Sequence, residues 1–144
     1  MKLCMIGTGY VGLVSGVCFA DIGNQVICVD KDKDKIDKLN SGISPIYEPG
    51  LNELIKKNYI AKRLIFTTDL AKAVKSSDII FICVGTPTKK HSLKVDLSYL
   101  YKSVKEIIAS TKSKKIIVTK STVPVGTGDE IEKIIKKKKK KNFE

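Results

Sequence analysis

Three glycines and one aspartate have the spacing to hold a dinucleotide. Gly7-Thr8-Gly9-Tyr10-Val11-Gly12 follows a short apolar run, Lys2-Leu3-Cys4-Met5-Ile6, and opens an amphipathic segment. A second apolar run, Gln25-Val26-Ile27-Cys28-Val29, ends in Asp30. Each position has a physical task. Gly7 permits a tight turn out of a strand. Gly9 has no Cβ, so the backbone can approach a pyrophosphate, and Gly12 lets a helix pack closely on the strands. A helix from about Tyr10 to Ile22 points free N–H groups and its positive dipole end at phosphates. Asp30 is placed to accept hydrogen bonds from adenosine ribose hydroxyls and to repel a 2′-phosphate, which favours NAD over NADP. Lys31, Lys33 and Lys35 pull the other way, because a basic cluster after the strand accommodates an extra phosphate. The glycines alone also fit a turn with no ligand. Their place between a strand and a helix, with an acid at the next strand tip, favours the dinucleotide.

Other chemistry is sparse. The four cysteines, Cys4, Cys18, Cys28 and Cys83, have neither zinc-site nor C-x-x-C spacing. They are expected to be buried, reduced thiols. His91 is the single histidine and lies in a polar, lysine-rich stretch. It suggests an exposed side chain, and no Cys–His pair or Ser-His-Asp set is legible. No metal site is expected. The net charge of +12 rests half on six consecutive lysines, Lys136 to Lys141. Such a block reads as a solvated end, with weak adhesion to polyanions but no specific nucleic-acid recognition.

The elements that must position these residues alternate in type. At 144 residues with 42% apolar content, the chain is expected to form one domain with a real core. No segment reads as a signal peptide or membrane span, so a cytoplasmic protein without membrane contact is expected. Ile36, Leu39 and Ile43 read as one helical face, and Leu51, Leu54 and Ile55 as a short helix. Leu64 to Thr67 reads as a third strand, followed by a helix that Asp69 caps. Asp78 to Val84 is the most apolar run and predicts a fully buried central strand. Leu97, Leu100, Tyr101, Val104, Ile107 and Ile108 recur with helical period. Lys115 to Thr119 predicts a fifth strand, and Thr127 or its neighbours the start of a last helix. The alternation implies an α/β fold, a Rossmann-type doubly wound parallel sheet with strand order 3-2-1-4-5. The dinucleotide would cross the carboxyl ends of the first and fourth strands, where that order reverses. The loops there carry Gly9 to Gly12, Asp30, Thr86-Pro87 and Ser121-Thr122.

Five segments occur together and in order. They are Gly7 to Gly12, Ser44-Pro45-Ile46-Tyr47-Glu48-Pro49-Gly50-Leu51, Val84-Gly85-Thr86-Pro87-Thr88, Asp96-Leu97-Ser98-Tyr99, and Lys120-Ser121-Thr122-Val123-Pro124-Val125-Gly126-Thr127. As a set they resemble the N-terminal NAD-binding domain of the UDP-glucose/GDP-mannose dehydrogenase family, in wording closest to its UDP-glucose 6-dehydrogenase branch. The resemblance covers about 135 residues, so residues 1–135 are expected to be the NAD-binding domain and 136–144 a lysine-rich tail. It implies oxidation of UDP-glucose to UDP-glucuronate with two NAD and water, through a thioester on a cysteine. It implies that Gly7, Gly9, Tyr10, Val11 and Gly12 hold the pyrophosphate, with Val11 acting through its backbone. Asp30 and Lys35 would bind the adenosine side, and Thr86 and Pro87 would contact NAD. Ser121 would also bind the cofactor, and Thr122 would lie near the nicotinamide and help to place a catalytic water. Thr86-Pro87 and the turn at Thr122 and Pro124 also fit ordinary loop shaping. Glu48-Pro49-Gly50 reads better as a helix start than as a ligand site.

The family's remaining catalytic segments, bearing a glutamate, a lysine and the cysteine nucleophile, follow this domain and match nothing here. Asn142-Phe143-Glu144 resembles the beginning of a sixth strand. A truncated product is therefore expected, arising by slippage in an adenine-rich lysine tract or by deliberate trimming. It would be inactive alone, of marginal stability, and prone to self-association through an uncovered fifth strand. The alternatives are a stand-alone NAD-binding module, or a partner of a separately encoded catalytic half.

Overall fold

The apolar run at the N-terminus has no polar alternation, and the reason is burial on both faces. It forms strand β1 (Lys2–Ile6), the centre of a parallel five-stranded sheet. The structure, a computed structural model, describes residues 1–89, 94–111 and 113–138. His91 and the ending expected to begin a sixth strand lie outside the described residues. The order of elements is β1, α1 (Tyr10–Asp21), β2 (Gln25–Val29), α2 (Lys33–Asn40), α3 (Leu51–Ile60), β3 (Leu64–Thr67), α4 (Leu70–Ser76), β4 (Ile79–Ile82), α5 (Ser98–Ser110), β5 (Ile116–Thr119) and α6 (Thr127–Lys137). The sheet runs β3-β2-β1-β4-β5, as the alternation predicts. In register, Cys4 stands between Ile27 of β2 and Ile80 of β4.

Successive β1 side chains go to opposite layers. Leu3 and Met5 join Leu13, Val17, Leu39 and Ile55 under α1, α2 and α3. Cys4 and Ile6 join Val74, Ile80, Leu100 and Val104 under α4 and α5. Each fully buried aliphatic side chain contributes about 1.5–3 kcal/mol of burial. Asp32 and Asp69 cap α2 and α4, accepting from the N–H groups of Lys35 and Lys72. The C-termini of α1, α2 and α3 share one closing motif. The residue after the C-cap is left-handed, and its N–H and the next one bond back into the last turn. That residue is Gly23 after α1, Gly42 after α2, and Lys62 (φ 56°) after α3.

Several expectations are corrected. Cys18 is exposed, because its place on α1 faces away from the sheet, and Cys83 lies one residue beyond β4. Ile43 lies past the end of α2 and is exposed, since Gly42 turns the chain first. The strand β4 is second from one edge, and β1 takes the centre. Ile79 and Phe81 are therefore half-buried, with Phe81 covered by the Phe19 ring 5.3 Å away. The last helix α6 runs on to Lys137, so the first lysines of the block are helical, and Lys136 pairs with Glu132.

Lys115 is a surprise. It is 5% exposed, and its ammonium donates to the carbonyls of Lys75 and Ser77 at the end of α4. A cation at a helix C-terminus satisfies carbonyls that have no partner within the helix.

Candidate functional site

The turn from β1 into α1 depends on Gly7. Its φ is +100°, and a Cβ there would lie 2.7 Å from the Cys83 carbonyl oxygen. Its N–H donates to the Val29 carbonyl at 2.8 Å, which fixes the turn to the end of β2. Gly12 lies on the inner side of the turn. A Cβ there would come within 1.9 Å of the Gly7 carbonyl oxygen and 2.9 Å of the Cys83 side chain. Gly16, one turn on, rests in the same way against Cys28 Sγ. The sequence motif does not include it, although its spacing from Gly12 was a usable signal.

Gly9 differs. A Cβ built there meets nothing within 4 Å. It is the N-cap of α1, and no side chain caps that helix. The first intrahelical bond runs from the Leu13 N–H to the Gly9 carbonyl. The N–H groups of Tyr10, Val11 and Gly12 precede it and have no partner within the helix. Tyr10 and Val11 are exposed beside them. The corner is open, bare and lined by amide hydrogens at the positive end of a helix dipole, which suits an anion.

Asp30 stands across from this corner. Its Oδ2 accepts from the Thr8 N–H at 2.9 Å, the Thr8 hydroxyl at 2.8 Å and Lys35 Nζ at 3.3 Å. Its Oδ1 accepts from the Asp32 N–H at 3.1 Å and keeps capacity for a further donor. Burial pushes this carboxyl up, but the Thr8 bonds, the Asp32 N–H and the Lys35 ammonium outweigh it and hold the group below the usual carboxylate range. Thr8, wholly buried, is the residue that the motif leaves as an "x", and it holds the Asp30 carboxylate. Only the fold shows that its hydroxyl meets Asp30.

The loops after β4 and β5 meet on the other side of the turn. The Thr86 hydroxyl donates to the Thr122 carbonyl at 2.9 Å. The Ser121 hydroxyl donates to the Val84 carbonyl at 2.7 Å, so it braces the two loops. Pro87 and Thr122 are exposed, and Thr86 is half-buried. Gly7 to Gly12, Asp30 with Lys35, and Thr86-Pro87 with Ser121-Thr122 thus all stand at the carboxyl ends of the strands, around the reversal between β1 and β4. Glu48-Pro49-Gly50 leads into α3, with Gly50 as its left-handed N-cap.

The cysteines offer little. Burial pushes the Cys4 thiol up to about 12 and the Cys83 thiol to about 11, and raises Cys28 further. None of these three is a thiolate nucleophile at neutral pH. Among the described residues no group of three His, Cys, Asp or Glu side chains is placed to hold a metal ion.

A family model described as the UDP-glucose/GDP-mannose dehydrogenase family, NAD binding domain, matches residues 1–144. The chain belongs to that family. It is the family's NAD-binding domain, and its cofactor is NAD. It is 57% identical over 136 residues to the UDP-glucose 6-dehydrogenase of Rhizobium meliloti, a match covering 94% of this chain and 31% of that protein. It is 51% identical over 142 residues to a UDP-glucose 6-dehydrogenase of Bacillus subtilis, covering 99% of this chain and 31% of the other. The chain thus spans about a third of the length of these relatives. Among solved structures, a ternary complex of GDP-mannose dehydrogenase from Pseudomonas aeruginosa superposes with a TM-score of 0.93 at 38% identity, over 100% of this chain and 35% of that one. A UDP-glucose dehydrogenase from Pyrobaculum islandicum gives 0.91 at 32% identity, over 98% of this chain and 34% of the other. Among the described residues no helix is long and apolar enough to cross a membrane.

Proposed function

We propose that this chain holds the NAD of a UDP-glucose 6-dehydrogenase, the enzyme that converts UDP-glucose, two NAD and water to UDP-glucuronate and two NADH. The observation that carries the site is the bare corner at Gly9, open within 4 Å and uncapped, with Asp30 across from it. NAD, when bound, supplies the hydride acceptor. The chain's own residues bind and orient it. Gly7 and Gly12 shape the turn, and Gly9 admits the pyrophosphate to the N–H groups of Tyr10 and Val11. Asp30 takes the ribose hydroxyls on its spare Oδ1 capacity, and Lys35 holds the carboxylate in place. Thr86 and Pro87 would contact the cofactor at the end of β4. Ser121 braces the loop that carries Thr122 to the nicotinamide end, where Thr122 places water.

The branch assignment rests on the two UDP-glucose 6-dehydrogenase relatives above. The described residues supply a cofactor site without a nucleophile, so turnover requires the segments that lie in the other two thirds of the relatives. The four unpaired cysteines fit a reducing, cytoplasmic compartment. The edge strand β5 pairs only with β4 among the described residues, and Ile116 is exposed on it. Self-association through that edge is part of the same reading.

Calorimetric titration with NAD tests the site in the wild-type chain, Asp30→Ala and Gly9→Val. Loss of a charged hydrogen-bond acceptor weakens binding about tenfold or more, and bulk at position 9 blocks the pyrophosphate. Unchanged affinity in both variants rejects the site. Formation of NADH from UDP-glucose, with the other two thirds of a relative supplied as a separate chain, tests the activity. A different sugar nucleotide as the preferred substrate rejects the branch.

A further inference from the structure

Three lysines follow Asp30 within five residues, and a cation beside the ribose is what a 2′-phosphate needs. The structure occupies each of them. Lys33 Nζ lies 2.9 Å from Asp37 Oδ2, one turn along α2. Lys35 Nζ lies 3.3 Å from Asp30 Oδ2, so its charge is offset by the carboxylate that repels the phosphate. Lys31 is the immediate neighbour of Asp30, and it takes a different partner. Its Nζ sits over the ring of Tyr99, 4.7 Å from the centroid. Tyr99 is in the first turn of α5, the helix that packs beside α4 on one face of the sheet. The contact therefore ties the tip of β2 to the start of α5.

We propose that Tyr99 is a specificity-determining residue, which favours NAD over NADP by latching Lys31 away from the ribose 2′ position. The inference rests on Asp30 being the ribose acceptor. To reach a 2′-phosphate, Lys31 must leave the ring face. NADP binding carries the cost of breaking that cation–π contact, and NAD binding does not. An exposed contact of this kind is worth about a two- to fivefold change in relative affinity. Asp30 remains the larger determinant, and the latch adds to it.

The test is titration of the full chain with NAD and NADP at low ionic strength. The variants are Tyr99→Ala, Tyr99→Leu, Tyr99→Phe and the double variant Tyr99→Ala/Lys31→Gln. Tyr99→Ala and Tyr99→Leu are expected to improve NADP relative to NAD about two- to fivefold. Tyr99→Phe keeps the wild-type ratio, because the ring face remains. Lys31→Gln in the Tyr99→Ala background removes the gain. Tyr99→Leu preserves bulk, so a folding defect of the alanine variant leaves the question answerable. An unchanged ratio in the leucine variant, with NAD binding intact, overturns the latch alone. Equal weakening of both dinucleotides also overturns it and makes Tyr99 a wall of the adenosine site. Failure of the unaltered chain to bind NAD overturns the latch together with the site beneath it.

Discussion

The Thr8 hydroxyl donates to Asp30 Oδ2 at 2.8 Å, across 22 residues of sequence. With the Thr8 N–H on the same oxygen at 2.9 Å, it locks the glycine turn to the tip of β2. The glycine turn and Asp30, the two halves of the proposed dinucleotide site, are thus positioned by one residue. Thr8→Val keeps the shape and loses the hydroxyl. It is expected to lower stability by about 1.5 kcal/mol, the low end for a bond to a charged group, because water reaches Asp30 and replaces part of it. NAD affinity should fall by less than in Asp30→Ala. Urea denaturation and calorimetry check both, and an NAD affinity lower than that of Asp30→Ala would contradict the positioning role.

The same bonds set a pH dependence. Asp30 is held below its ordinary 3.8 in the folded chain. The unfolded chain therefore takes up this proton first as pH falls. The stabilisation is fully present above about pH 4 and is lost as pH drops through the lower folded value. Asp30→Asn should flatten the acid limb of unfolding free energy against pH. NAD affinity in the wild type should hold steady from neutral pH down to about pH 5. A fall in affinity between pH 7 and 5 would place the responsible group elsewhere.

Gly9 and Gly12 separate binding from folding. A Cβ at Gly9 meets open space, so Gly9→Ala should melt close to the wild type while binding NAD more weakly. Gly12→Ala drives a methyl into the Gly7 carbonyl, 1.9 Å away, and is expected to cost about 1–3 kcal/mol or more. Thermal melts with and without NAD distinguish the two. Equal destabilisation would mean that Gly9 also serves packing.

Lys62 invites stabilisation. It holds φ 56° at the end of α3, where α1 and α2 use Gly23 and Gly42. Its N–H still bonds to the Tyr59 carbonyl at 3.0 Å, so the turn is complete and only the Cβ is strained. Lys62→Gly should raise the unfolding free energy by about 0.5–1 kcal/mol. A lower denaturant midpoint would show that the lysine side chain matters more than its backbone strain.

The sheet order, the glycine turn, the Asp69 cap and the family were legible from residue order, because these rest on local patterns. A buried parallel strand must be continuously apolar, a turn at positive φ selects glycine, and βαβ units cross over with one hand. Which polar atoms meet emerges only in the folded chain. Thr8 on Asp30, Lys31 on Tyr99, and Lys115 on the end of α4 join residues from separate elements. The same holds for the exposure of Cys18 and the burial of Cys4, Cys28 and Cys83. Such pairings follow from how the helices seat on the sheet, an arrangement set by the packing of all the side chains at once, and no window of sequence contains it.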